Sequence, residues 1–339
     1  MTDQCCSRGA CCCQPTITAV TTKLSFKDRL GGWAVRWGIG RMRYSVEPGL
    51  YAVGKPKRSD PVLVSANYKL TFDSLRKALS GINCYLLILD TKGVNVWCSA
   101  GKGTFGTAEL VSRIKDTLLS EIVSHQTVIL PQLGAVGVDA NEVKKQSGFS
   151  VIYGPVRAED IKTFLQNNCT ASDDMRTVRF TLRDRLVLTP LELVTAVRKS
   201  LAAFGVVFVV NLFAAKPFGL TDFTAYMGAV LTGTVVVPLL LPYIPGRAFA
   251  FKGTFAGLIW AFAAVWLNHW ISHETGLVII GYLLLLPSVS AYLAMNFTGA
   301  STYTSPSGVV KEMKTALPYM ITASAAGLIL IGLGRLFGL

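Results

Sequence analysis

VLVSANYKLTFDSLRKALSGINCYLLIL, residues 62–89, reads as strand, helix, strand. Residues 62–66 form a short apolar strand, 71–79 a helix, and 85–89 an unbroken apolar run of the kind found in a strand buried on both faces. Outward from there, 94–98 reads as a further strand, 107–119 as a helix, 127–130 and 150–153 as strands, and 158–166 as a helix. Such alternation predicts an α/β sheet with helices packed on it. Ligands of these sheets gather at the carboxyl ends of the strands, so the loops there carry the candidate chemistry.

The rest of the chain belongs to another solvent. Of 339 residues, 51% are hydrophobic and only 16% charged, with mean hydropathy +0.45. That is too apolar for a soluble protein and excludes disordered and collagen-like classes. Residues 1–199 hold 27 of the 33 Lys and Arg and 17 of the 20 Asp and Glu. Beyond them, apolar stretches at 199–219, 223–244, 248–268, 276–297 and 316–338 have roughly the 20 residues a helix needs to cross hydrocarbon. Five crossings are expected. Arg198, Lys199, Arg247, Lys252, Lys311 and Lys314 fall on the side of the N-terminal half, against Lys216 and Arg335 opposite. This asymmetry predicts a cytoplasmic N-terminal half on the inner membrane. The first fifteen residues are polar and rich in cysteine, so no secretory signal is expected there. A transporter would place ionisable groups inside its spans, and these spans offer almost none. Asn211, Asn268 and Asn296 stand near span ends, while His269, His273 and Glu274 read as an extracytoplasmic loop rather than a metal site.

The most unusual loop runs Asn95-Val96-Trp97-Cys98-Ser99-Ala100-Gly101-Lys102-Gly103-Thr104-Phe105-Gly106-Thr107. It places one thiol at a strand-to-helix turn, where backbone N–H groups and the helix dipole favour a thiolate and Lys102 adds to this if it points inward. Glycines 101, 103 and 106 let a flat ligand approach the backbone. Taken alone, the loop also admits an ordinary buried cysteine. A phosphate loop fits less well, because the Walker spacing is absent.

Residues 95–105 closely resemble the cap-helix motif of the corrinoid protein family of microbial mercury methylation, whose usual form has Ala where Ser99 stands. The soluble half is also similar to the corrinoid domain of the corrinoid iron–sulfur protein of the acetyl-CoA pathway, through residues 61–71, 87–93, 129–135 and 153–157. Together the resemblances cover residues 45–339. They imply a Rossmann-like corrinoid-binding α/β domain at 59–168, followed by an all-α membrane domain of five transmembrane helices at 199–339. A Cys-rich, basic tail is expected at 1–58 and a basic linker at 169–198. By the same resemblance, Ser65, Asn67, Asn95, Val96, Trp97, Ala100, Gly101, Lys102, Gly103, Thr104, Phe105, Pro131, Leu133, Gly134, Gly154 and Pro155 would contact the corrinoid. Ser65 stands where related domains often have Thr and keeps the hydroxyl.

The family assignment implies that Cys98 gives its thiolate to the lower face of cobalt, with the corrinoid's own base displaced. Consistent with this, His125 is the one histidine of the soluble half and lacks the pattern of His-ligated cobalamin domains. An electron-rich ligand opposite the methyl group favours its departure as a carbanion equivalent to mercury(II). Reduction of cobalt afterwards implies a partner, in the resembled system a small ferredoxin with two 4Fe–4S clusters, and remethylation implies an upstream methyl-donor protein. Two alternatives stay open: a membrane-anchored methyl carrier serving another acceptor in one-carbon metabolism, and, more weakly, a transporter with a cytoplasmic regulatory domain.

Cys5, Cys6, Cys11, Cys12 and Cys13 could capture mercury on a flexible tail, or be incidental thiols kept reduced in the cytoplasm. Residues 23–58 hold nine basic and two acidic residues among Trp33, Trp37, Tyr44 and Tyr51. Beside a membrane domain, this favours lipid headgroups or an acidic ferredoxin over nucleic acid. Residues 296–314 read as a long return loop with a docking or substrate-path role.

Overall fold

A computed structural model describes residues 16–211, 217–301 and 303–337. The cysteines at positions 5, 6, 11, 12 and 13 lie outside the described residues. The chain divides into two compact units, Met1–Val35 with Ile39–Val178, and Arg36–Gly38 with Arg179–Leu339.

The first unit is built on six strands: β1 (Ile17–Val20), β2 (Gly49–Val53), β3 (Val62–Ala66), β4 (Cys84–Leu89), β5 (Thr127–Pro131) and β6 (Ser150–Gly154). Their order is β1-β2-β4-β3-β5-β6. Strands β3 to β6 run parallel, and β2 adds antiparallel to β4 with Leu50 opposite Leu87. Its helices are α1 (Phe26–Arg36), α2 (Lys69–Ala78), α3 (Val96–Lys102), α4 (Thr107–Asp116), α5 (Leu119–Ile122), α6 (Ala140–Ser147), α7 (Ile161–Gln166) and α8 (Asp173–Arg176).

Alternation along the strands supplies two cores. Val62, Val64, Ala66, Leu87 and Leu89 pack with α3, α4 and α6 on one face, while Leu63, Leu86 and Ile88 pack with α2 and α7 on the other. After β3 the chain crosses outward through α2 to β4; after β4 it returns on the opposite face, past β3, to β5. The direction of the connections therefore reverses between β3 and β5, and in sheets of this kind ligands gather outside the carboxyl ends at such a point.

Three sequence expectations are corrected here. Residues 94–98 are not a strand: Asn95 caps α3, and this local capping outweighs the β-rich look of Val94, Val96 and Trp97. Residues 1–58 are not all tail, because β1, α1 and β2 belong to the sheet unit. The edge strand β1 is held by pairing to β2, and β2 by pairing to β4, which no local pattern announces. Much of 169–198, read as a linker, is helical.

The second unit comprises α9 (Leu182–Asn211), α10 (Leu220–Leu231), α11 (Val237–Leu239), α12 (Phe249–Leu267), α13 (Trp270–His273), α14 (Gly276–Asn296) and α15 (Pro306–Phe337). Four stretches are long and apolar enough to cross a membrane: Leu220–Leu239, Phe249–Leu267, Gly276–Gly299 and Ser307–Phe337. The first joins α10 to α11 through a π-helical turn at Thr232–Val236. The fifth crossing expected, 199–219, falls on the end of α9 and on residues 212–216, outside the described residues. The long loop expected at 296–314 is also corrected, since a 3-10 turn at Phe297–Ala300 and the start of α15 occupy most of it.

Small residues line the contacts between these helices. A Cβ on Gly253 or Gly257 of α12 would come within 2.5 or 2.7 Å of the α14 backbone, and one on Gly281 of α14 within 2.7 Å of the Gly327 carbonyl on α15. Large apolar side chains of α12, among them Phe251, Ile259, Phe262 and Trp266, point outward instead. Small inside and large outside suits helices whose solvent is lipid.

Candidate functional site at the carboxyl edge of the sheet

The loop after β4 is tied down from two sides. Asn67, buried at the end of β3, accepts the backbone N–H groups of Thr91 (3.2 Å) and Gly93 (3.0 Å) on its Oδ1. The Asp90 N–H donates to Glu109 Oε1 of α4 at 2.8 Å, and Glu109 pairs with Arg113 at 2.8 Å. Within the loop Lys92 donates to the Asp90 carboxylate and, against a smaller effect of burial, holds that carboxyl below the usual carboxylate range. Asn67, expected at the cofactor, thus spends its side-chain oxygen on shaping the loop that leads into α3.

Asn95 then starts α3, its backbone extended and its Oδ1 accepting the Cys98 N–H at 2.9 Å. Eight residues later Gly103 ends the helix in the left-handed region, at φ 80°. Val96, Ser99 and Ala100 face inward and are buried, whereas Trp97, Cys98, Gly101 and Lys102 are exposed. Ser99, the departure from Ala, sits fully buried with its hydroxyl donating to the Asn95 carbonyl at 2.6 Å. Back-bonding of this kind satisfies the extra polar group inside the helix.

The loop after β5 clamps α3 from below. Phe105 is fully buried, and a Cβ on Gly134 would meet its ring at 2.5 Å. A Cβ on Gly137 would lie 2.1 Å from the Phe105 carbonyl and 3.1 Å from Ala100 Cα. Phe105 and Gly134, both expected against a cofactor, are thus packed against each other and position α3. Gly137 was not anticipated; its glycine spacing from Gly134 was the available signal. Val136 stands exposed at the tip of the same loop.

Of the remaining residues, Ser65 is buried on the face of Leu63, away from α3, and Gly154 and Pro155 are buried at the end of β6. Asn95, Thr104, Pro131 and Leu133 are partly exposed. His125 lies at the opposite, amino edge of the sheet: its Nε2 is 2.9 Å from the Asp60 carbonyl and its Nδ1 accepts the Thr127 N–H at 3.3 Å. Cys84 is buried in β4, which pushes its thiol up to about 12 and leaves it inert, and burial also raises Cys169. Cys98 is the exposed thiol among the described residues.

The structure therefore brings together an outward thiol, an aromatic ring at Trp97 and a surface without side chains at Gly101 and Gly103. A Cβ built at either glycine meets nothing within 4 Å. A side chain at Gly101 would stand beside the thiol, clear of the rest of the protein.

Sequence comparison shows what this unit is similar to. Residues 40–165 match the family model of the CO dehydrogenase/acetyl-CoA synthase delta subunit. The α/β unit is accordingly similar to corrinoid-protein domains over that stretch. Among individual relatives, the gamma subunit of the acetyl-CoA decarbonylase/synthase complex of Archaeoglobus fulgidus is 33% identical over 130 residues, covering 38% of this chain and 27% of its own. The corrinoid/iron-sulfur protein large subunit of Moorella thermoacetica is 31% identical over 125 residues, covering 36% of this chain and 28% of its own. The chain thus spans little more than a quarter of the length of these curated relatives, and the family model ends at residue 165, before the helical unit.

Proposed function

We propose that this chain is a membrane-bound corrinoid-dependent methyltransferase that passes a methyl group to mercury(II), with its α/β unit on the cytoplasmic side of the inner membrane. The observation that carries the reading is the exposed Cys98 thiol on a helix face flattened by Gly101, in a domain similar to corrinoid proteins. The residues fit such a cofactor: a flat macrocycle needs the open surface, and its metal needs a donor standing clear of it. When bound, the corrinoid supplies a cobalt that carries a methyl group and yields it with its bonding pair to a soft acceptor. Cys98 would ligate that cobalt through its thiolate, a soft and electron-rich donor. Asn95 acts as a positioning residue by holding the Cys98 backbone. The Phe105–Gly134 contact and the close approach at Gly137 keep α3 seated, and Trp97 offers an apolar flank. A small ferredoxin as reductant and an upstream methyl-donor protein complete the proposal.

The test is the optical spectrum of the purified protein before and after Cys98→Ala, paired with methylmercury formation in cells at equal protein level. A bound corrinoid whose spectrum changes on substitution, with methylmercury lost, is expected; an unchanged spectrum with persistent activity would overturn the role of Cys98. The names of the matched relatives favour a second reading, a methyl carrier serving another acceptor in one-carbon metabolism. Transfer of the gene, with its ferredoxin partner, into a host that forms no methylmercury separates the two: methylmercury appears only under the first.

A further inference from the structure

Helix α1 is held to the sheet unit through its inner face. Its N-terminus is a capping box, with the Ser25 N–H donating to Asp28 Oδ2 at 3.0 Å and the Asp28 N–H to Ser25 Oγ at 3.1 Å. Asp28 also turns inward onto α2, 2.6 Å from Lys69 Nζ and 2.8 Å from Arg76 Nη2. Gly32 and Val35 are buried on the same inner side.

The outer face is unlike that of an ordinary surface helix. Phe26, Leu30 and Trp33 follow the i, i+4, i+7 spacing of a single stripe and are 80%, 53% and 59% exposed. At 100° per residue, Lys27 falls on one flank of that stripe and Arg29 on the other; both are exposed. Just beyond, in the 3-10 turn Arg41–Arg43, Met42 is 80% exposed between two arginines. The one acidic side chain of α1 is spent inside, so the charge offered around the apolar stripe is positive.

Large apolar side chains bordered on both sides by long cations suit a particular surface. Acyl chains accept the stripe, and anionic headgroups meet the flanking charges while their aliphatic stems lie along the boundary. An acidic protein would satisfy the cations but leave Phe26 and Met42 in water. A second copy of this chain would set cation against cation. We propose that α1 and the Arg41–Arg43 turn form an interfacial foot lying on an anionic lipid bilayer, with Phe26, Leu30, Trp33 and Met42 entering the headgroup boundary and Lys27, Arg29, Arg41 and Arg43 meeting lipid phosphates. The foot is a membrane contact separate from the crossing helices and does not depend on the reaction proposed above.

The experiment uses the full chain in nanodiscs of phosphatidylcholine, alone or with phosphatidylglycerol added. A benzoylphenylalanine photoprobe replaces Phe26, Trp33 or Met42 in turn, and Lys77, exposed on α2, serves as the control position. Mass spectrometry of the irradiated protein is expected to show lipid adducts at the three test positions in clear excess over Lys77, rising about fivefold or more with phosphatidylglycerol, as roughly 1 kcal/mol per basic residue near an anionic surface implies. Combined Lys27→Gln, Arg29→Gln, Arg41→Gln and Arg43→Gln substitution removes that rise. Adducts to protein in place of lipid, lipid adducts no more frequent than at Lys77, or equal yields in the two lipids would each overturn the assignment.

Discussion

Asn95 carries more of the site than its modest exposure suggests. One side-chain oxygen caps α3 and fixes the backbone of the residue whose thiol is offered outward. Asn95→Ala should cost about 1 kcal/mol of stability, the usual effect of losing a cap, and loosen the orientation of Cys98. Denaturant midpoints give the first effect, and corrinoid retained through gel filtration gives the second; the second should exceed what the stability loss alone explains. Gly101→Leu tests the flat surface instead. Because the added side chain meets nothing within the protein, folding should persist within about 0.5 kcal/mol, as for a surface change, while corrinoid binding is lost. Gly101 was legible in the sequence as part of a glycine-rich loop, and Asn95 as a site residue but not as the cap of a helix, because 94–98 reads as a strand. Ser65 and Asn67 were legible only as a pattern: strand parity put one on the far face, and the burial of the other committed its side chain to Thr91 and Gly93.

Among the elements, α1 and α2 show how ion pairs attach a helix without a large core. At Asp28 burial works to raise the carboxyl pKa, but hydrogen bonds from Lys69, Ser25 and Arg76 together outweigh it and leave the group well below the usual carboxylate range. A carboxyl depressed in the folded state adds stability that is present above its ordinary pKa, about 4, and disappears as pH falls below it. Hydrogen exchange of residues 25–36 should therefore accelerate relative to the β3–β4 core as pH drops under about 4. Asp28→Asn should make the exchange faster at neutral pH and remove most of the acid dependence. The strands β3 to β6 could be read from their own apolar runs. Helix α3 could not, because Val96 and Trp97 look like a strand until the Asn95 cap is seen, and β1 and β2 could not, because β2 is held by β4 and β1 by β2.

Across the whole molecule, the helical half turns out to contain more ionic chemistry than its composition suggested. Asp222 at the start of α10, Glu274 just after α13, Tyr282 in α14 and Arg335 near the end of α15 converge: Arg335 Nη2 lies 2.6 Å from Asp222 and 3.5 Å from Glu274, stacked over the Phe218 ring at 4.6 Å, while Tyr282 donates to Asp222. Lys252, buried in α12, donates to the carbonyls of Leu241 and Ile244. Removing one partner of a buried pair leaves the other charge uncompensated. Arg335→Ala should thus cost about 3–5 kcal/mol, read as a lowered unfolding temperature in detergent, and Asp222→Asn combined with Arg335→Met should recover much of it. Hydropathy, helix length, the strand runs and the motif around Cys98 are properties of neighbouring residues, so the sequence by itself determined that one half is apolar enough to cross a membrane, that the other is a sheet, and where the thiol lies. Only the tertiary structure decided which expected site residues face outward, that Phe105 is clamped by Gly134 and Gly137, that α1 turns Phe26, Leu30 and Trp33 away from the core, and that Asp222 meets a cation 113 residues distant. Those outcomes depend on which surfaces are left over once distant segments have paired.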